Sequence, residues 1–309
     1  MSNLEYTFFT PPYPEECLYS VVARYHVRSA NPTLSASVRE LFPESCGQSL
    51  CSTVTSPYML TYMDQWMSPE FGYSRNRLIS ETTSYQLHVV SLRKTPFVSE
   101  IEEQRKQHLQ NRLIHPHRHL RYCPHCVREQ FIVYGEPYWQ RLPQLWGAEY
   151  CPIHGIPYVD SEVSVRDIRY RAIPASFVLP CEPQAPKTQI DSRLEECYIS
   201  ASRDLLWLLQ NGYCVKGMER SVRTAEIALG LRRNGLWARV IEEKALDIFP
   251  EKYVYECFPC FRNKMFKYDY YTMHGLRPRQ IAALMSITSG SAESFARLRK
   301  MKPLDFMDF

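Results

Sequence analysis

The chain has 309 residues, 45% of them hydrophobic and 23% charged, and 37 Lys and Arg against 33 Asp and Glu leave a net charge of +4. That balance excludes a largely disordered chain and is enough for two or three structural units with buried cores. The N-terminus lacks a basic segment followed by an apolar one, and no apolar run reaches the roughly 18 residues of a membrane helix. Eleven cysteines without an export signal therefore point to reduced thiols and metal ligands in a cytosol rather than to a disulfide framework.

Residues 1–110 read as a domain of short helices. Pro14 suits a first helical turn, after which Leu18, Val21, Val22 and Tyr25 share one apolar stripe. Ser56-Pro57 opens a second pattern with Leu60, Met63 and Trp66 or Met67 inward, and Ser68-Pro69-Glu70 starts or breaks the next. Ser99 and Glu102 are spaced as a capping box. Such a bundle has room for a helix-turn-helix, although no recognition helix stands out. Cys46 and Cys51 read as core or surface thiols. Gln104 to Arg121 then carries five Arg or Lys and four His with no acid, a footprint suited to phosphate backbones or to a solvated face.

The chemistry concentrates in residues 111–186. Cys123-Pro-His-Cys126 and Cys151-Pro-Ile-His154 each place two ligands around one tight turn. Three thiolates and one imidazole fill a tetrahedron around zinc and leave no position for water or substrate, so the expected site is structural. Gly155 follows the second knuckle, where a turn needs positive φ. The 24 residues between Cys126 and Cys151 leave room for a helix or hairpin, and Tyr138, Trp139 and Trp146 are expected to form an apolar core over the metal. His125 is expected at the surface. From Ile156 to Pro186 the chain is rich in Pro and β-branched residues and reads as extended, ending in a linker.

Residues 187–309 return to a helical pattern. Ser192 and Glu195 form a second capping box, ahead of a stripe through Leu194, Cys197, Ala201, Leu205 and Leu208. Further helices are expected around Thr224–Leu231 and Leu236–Ile248. Between Phe261 and Lys302, nine Lys or Arg stand against Asp269 and Glu293, a net of +7. Within that stretch Arg279 to Lys300 has the layout of a helix-turn-helix, with Ile281, Leu284 and Met285 inward, a turn near Ser286–Thr288, then Phe295 and Leu298 inward. Arg277, Arg279, Ser289, Ser291, Ser294, Arg297, Arg299 and Lys300 are the expected DNA contacts. Cys257 and Cys260, with His274 or Cys214, are the only hint of a second zinc site; two packed thiols explain them as well.

The ordered motifs Tyr13-Pro-Glu-Glu-Cys-Leu-Tyr-Ser20, Arg121-Tyr-Cys-Pro-His-Cys126, Tyr138-Trp-Gln-Arg141 and Tyr150-Cys-Pro-Ile-His-Gly155 resemble the TniQ/TnsD family of transposon target-site selectors. The resemblance implies a mainly α protein with a small zinc-ribbon-like element, located in the bacterial cytoplasm at the nucleoid. It implies binding to double-stranded DNA and recruitment of a TnsC-like AAA+ ATPase, with the N-terminal half as the ATPase-contacting surface. The target would be a fixed attachment site or one chosen by an RNA-guided CRISPR effector complex. TnsD-like proteins run well past 309 residues, so the chain is a shorter member or part of a longer protein. Phosphate-loop, dinucleotide-binding, H-E-x-x-H and G-x-S-x-G motifs are all missing, which favours an adaptor over an enzyme. A zinc-containing nuclease and a stand-alone transcription regulator remain the alternatives.

Overall fold

The computed structural model describes residues 9–42, 75–84, 87, 117–169, 171–184, 186, 191–212, 237–262 and 278–298. They are mostly helical, with one small sheet. In chain order they form α1 (Leu18–Arg28), α2 (Leu34–Leu41), α3 (Arg75–Thr82), β1 (His119–Tyr122), α4 (Pro124–Tyr134), β2 (Val159–Ser164), α5 (Ser192–Gln210), α6 (Trp237–Ile248), α7 (Glu251–Cys257), α8 (Pro259–Arg262), α9 (Pro278–Ser289) and α10 (Ala292–Leu298). The strands β1 and β2 pair antiparallel, with Arg121 opposite Asp160.

Apolar burial divides into two cores. The first joins Cys17, Leu18, Tyr19, Val22, Tyr25, Leu41 and Phe42 to Leu78 and Ile79, and then to Leu120, Val127, Trp139, Val163, Ile168 and Leu179. The second joins Cys123, Cys126, Cys151, Leu142, Leu145, Tyr150 and Tyr158 to Leu194, Leu205, Leu208, Tyr253, Ile281, Leu284 and Phe295. Residues 117–179 contribute to both, so the two-knuckle unit is the joint between the N-terminal and C-terminal helices.

The helices begin where their local chemistry allows. In α1 the expected stripe is buried, but Pro14 does not enter the helix. It sits in a tight turn with Glu15 at φ 59, and Cys17 is the residue that precedes the first turn. Thr33 caps α2 by accepting from the Ala36 amide. Helix α5 keeps its predicted apolar phase, yet its cap is Asp191, whose Oδ1 accepts from Arg193 N at 2.8 Å; Ser192 is already helical. The expected features at Ser56–Glu70, Ser99–Glu102, Thr224–Leu231, Cys46 and Cys51 lie outside the described residues.

The helix pair near the C-terminus forms with its turn displaced. α9 continues through Ser286, Ile287 and Thr288 to Ser289, and the chain reverses at Gly290 (φ 83) and Ser291. The Thr288 hydroxyl donates back to the Leu284 carbonyl at 2.8 Å, a bond that lets a turn-prone residue remain helical. Ile281, Leu284, Met285 and Phe295 are buried as expected, whereas Leu298 is 71% exposed and does not face the core.

Candidate metal centre

Strand β1 delivers Cys123 to the start of α4, where Pro124 takes the first helical position and needs no amide partner. One turn into the helix, Cys126 points to the same side. The second knuckle is a tight reversal: Cys151 N donates to Ile156 O at 2.8 Å, and Gly155 N to Cys151 O at 2.9 Å, with Gly155 at φ 66. Its positive φ is what glycine supplies there.

The reversal brings His154 Nδ1 to 3.5 Å from Cys123 Sγ, 3.4 Å from Cys126 Sγ and 3.5 Å from Cys151 Sγ, with Cys126 Sγ and Cys151 Sγ 3.7 Å apart. All four ligand atoms lie within 4.8 Å of one another. Zinc bonds of about 2.3 Å to sulfur and about 2.0 Å to nitrogen set tetrahedral edges of roughly 3.8 Å and roughly 3.5 Å. Four of the six separations match those edges, so the donors are gathered around a zinc-sized space. Among the described residues this is the one group that could hold a metal ion.

Electrostatics agree with the geometry. Hydrogen bonding to Cys123 and Cys151, with burial behind it, pushes the Cys126 thiol strongly up, while hydrogen bonds from Cys123 and Cys126 pull Cys151 down to about 2. Three buried thiols this close together cannot all carry charge unaided. A divalent cation is the group that permits all three to ionise together. With Nδ1 as ligand, the ring proton belongs on Nε2, which donates to Glu129 Oε1 at 3.0 Å. Such a carboxylate fixes the tautomer and ring plane of a ligating histidine. The sequence reading missed Glu129, though its signal was there: Cys126-x-x-Glu129 places both on one face of α4. His125 is exposed, as expected, and its ring lies 5.3 Å from that of His154.

Trp139 does not cover the four ligands. It is fully buried in the N-terminal core, its indole donating to Ile173 O at 2.9 Å. Leu142, Leu145, Ala148 and Tyr158 share one buried apolar cluster with the three cysteines.

The motif residues at the N-terminus and around Trp139 lie against one another. Cys17 N donates to Trp139 O at 2.8 Å, Arg141 N to Glu15 O at 2.9 Å and the Tyr138 hydroxyl to Pro14 O at 2.9 Å. Arg141 also grips the Glu15 carboxylate through Nε at 2.8 Å, which holds Glu15 in its left-handed conformation. Glu16, wholly buried, accepts from Arg24 Nε at 2.8 Å and Nη2 at 2.6 Å, and Arg24 lies 3.9 Å from the centre of the Tyr13 ring. The fork-to-carboxylate match accounts for an ion pair in an apolar core.

The model of the TniQ family matches residues 7–157, the span that holds the zipped motifs and all four ligands. Those residues form a TniQ-family domain. The transposon Tn7 transposition protein TnsD of Escherichia coli is 28% identical over 200 residues, 59% of this chain; the chain spans 37% of that relative's length. The expected resemblance to TniQ/TnsD proteins thus stands on both comparisons.

Of the expected DNA contacts, Ser294 and Arg297 are exposed on α10, Ser289 at the end of α9 and Ser291 just before α10 are half-buried, and Arg297 pairs with Glu293. Arg277, Arg299 and Lys300 lie outside the described residues. Arg279 is a correction, since it is 5% exposed and cannot face a groove. Its guanidinium lies 4.9 Å from the ring centres of both Tyr198 and Tyr253 and 3.1 Å from Glu256. Two aromatic faces and a carboxylate make a better site for it than water. Arg121, from the upstream basic run, is likewise internal, bound to Glu149 at 3.1 Å and to the Ala148 carbonyl. Cys257 is buried, while the side chains of Cys260, Cys214 and His274 lie outside the described residues.

Proposed function

We propose that the chain is a non-enzymatic, zinc-stabilised adaptor that marks the insertion site for DNA transposition. The observation that carries this reading is the TniQ-family domain at residues 7–157, supported by the similarity to a Tn7 transposition protein. In this reading zinc sits between Cys123, Cys126, Cys151 and His154 and holds the joint between two cores in shape. A closed Cys3His set supplies no open coordination position, so zinc contributes folding energy here and no chemistry on a substrate.

Duplex DNA is taken as the ligand of the C-terminal helix pair, with Ser289, Ser291, Ser294 and Arg297 facing it. Hydroxyls and a cation of this kind suit contacts to the phosphate backbone. Arg277, Arg299 and Lys300 extend the same basic stretch in sequence. The TniQ-family domain is the surface that recruits a TnsC-like AAA+ ATPase, and the target is a fixed attachment site or one delivered by an RNA-guided CRISPR effector complex.

The test is co-purification of the chain with a TnsC-like AAA+ ATPase from the same genome, with nucleotide and duplex DNA present, followed by size-exclusion chromatography. Co-elution that depends on DNA and nucleotide is the expected result. Metal-dependent cleavage of the duplex, or tight DNA binding with no ATPase recruited, overturns the adaptor role.

A further inference from the structure

The described C-terminal helices contain one buried acid that no cation pairs. Asp204 lies on the inward face of α5, between Ala201 and Leu205, and is 6% exposed. Its two oxygens are divided between the two helices of the pair. Oδ2 accepts from the Ser286 hydroxyl of α9 at 3.2 Å, and Oδ1 accepts from the Ala292 amide, the first of α10, at 3.1 Å.

The start of α10 is already capped locally, because Ser291 Oγ accepts from Ser294 N at 3.1 Å. The bond from Asp204 therefore adds little to helix formation itself. What it adds is tertiary: it ties the first amide of α10 to a helix 88 residues earlier in the chain and spans the turn at Gly290. Phe295 and Ala296 fill the space beneath, but apolar contacts tolerate sliding and rotation that a hydrogen bond does not. A carboxylate facing a core is costly unless donors meet it, and here both donors come from the helix pair.

We propose that Asp204 is a positioning residue that fixes the second helix of the C-terminal pair on α5, and so sets the angle at which Ser294 and Arg297 are presented to DNA. The DNA part rests on the function proposed above; the positioning part does not. The charged groups around Asp204 leave it unpaired. Arg203 neighbours it on its own helix and is exposed, Glu293 and Arg297 on α10 pair with each other, and Arg279 on α9 is committed to Glu256.

The experiment is hydrogen exchange on the full chain, with binding to a random-sequence DNA duplex measured in parallel, for Asp204→Ala and Asp204→Asn. Loss of the two tertiary hydrogen bonds should raise exchange across residues 286–298 by about five- to a hundredfold in the Ala variant, with residues 123–154 unchanged. The Asn variant should keep wild-type protection, because its oxygen still accepts from Ala292 and its amide donates to Ser286. Unchanged exchange at residues 286–298 in Asp204→Ala overturns the proposal. If that variant does not fold, the unaltered protein serves: burial holds the Asp204 carboxyl up at about 6, so the Ala292 amide resonance should titrate with it. A resonance flat from about pH 4 to 8 overturns the proposal equally. Faster exchange with unchanged duplex affinity supports the positioning and refutes the DNA-reading role of this helix pair.

Discussion

The two sides of the joint that carries the Cys3His cluster are held by different means. On the N-terminal side, backbone hydrogen bonds and the Arg141–Glu15 pair lock residues 13–24 onto residues 138–141, and the buried Arg24–Glu16 pair braces that N-terminal segment from within. On the C-terminal side, rings and one cation do the work. Tyr150 beside Cys151 stacks on Tyr198 at 5.6 Å with the planes 5° apart, Arg279 sits between Tyr198 and Tyr253, and Gly147 lets the chain pass directly over Arg279. The first interface lies inside the TniQ-family domain, and the second joins that domain to helices beyond residue 157. Directional polar bonds fix one register, whereas stacked rings fix a distance and leave more rotational freedom. The C-terminal helices therefore have more latitude to differ in placement than the N-terminal ones.

The largest expected effect comes from the joint itself. Cys123→Ser or Cys151→Ser should abolish binding of about one zinc per chain, seen by metal analysis, and forfeit on the order of 10 kcal/mol of folding energy. Both cores should lose protection together, since both draw on residues 117–179. A metal-free, well-folded wild type would refute the zinc assignment outright.

Breaking the N-terminal lock should be the next most damaging change. Arg24→Ala leaves the Glu16 carboxylate wholly buried without its cation, which costs about 3–5 kcal/mol. In denaturant, residues 17–42 should open first while residues 278–298 stay protected. Simultaneous opening of both would show that the two interfaces are not separable.

On the C-terminal side, Asp204 makes stability depend on pH. Its folded carboxyl titrates at about 6 instead of 3.8 because burial disfavours the charge. The folded state thus holds the proton more tightly than the unfolded one. The stability contributed by this group is complete below about pH 4 and is lost as pH rises through about 6, a swing on the order of 3 kcal/mol. Urea midpoints at low and neutral pH check it: Asp204→Asn should gain on the wild type as pH rises, and a constant gap would contradict it.

The smallest effect should follow from Gly147→Ala. At φ 93, its Cβ would lie 2.4 Å from Arg279 Cβ, a side-chain atom fixed to the backbone of α9. Overpacking of this kind costs about 1–3 kcal/mol. Hydrogen exchange should rise at residues 278–298 and not at 17–28, the reverse of Arg24→Ala.

Much of the site was legible in the residues because its chemistry is local. Two knuckles with two-residue spacing declare four ligands, and a 3.6-residue apolar period declares α1, α5 and the inward face of α9. The errors share one origin. Arg279 looks like any surface cation until two tyrosines from separate helices are seen to enclose it. Trp139 looks like cover for the neighbouring metal until its indole is found bonded to Ile173 in the other core. The turn of the helix pair fell at Gly290 and not at Ser286–Thr288, because a side-chain bond to the preceding turn can absorb a threonine into a helix.

By itself, then, the sequence determined the donor set, the helical periodicity and the motifs shared with the TniQ family, all of which depend on residues within a few positions of one another. Only the tertiary structure decided that the metal unit serves two cores, that Glu129 backs His154, that Arg24 and Arg141 lock the N-terminus, and that Asp204 bridges the helix pair. Those are pairings across 8 to 126 residues, and such partners are chosen by which buried charges and donors the packed chain brings within hydrogen-bonding distance.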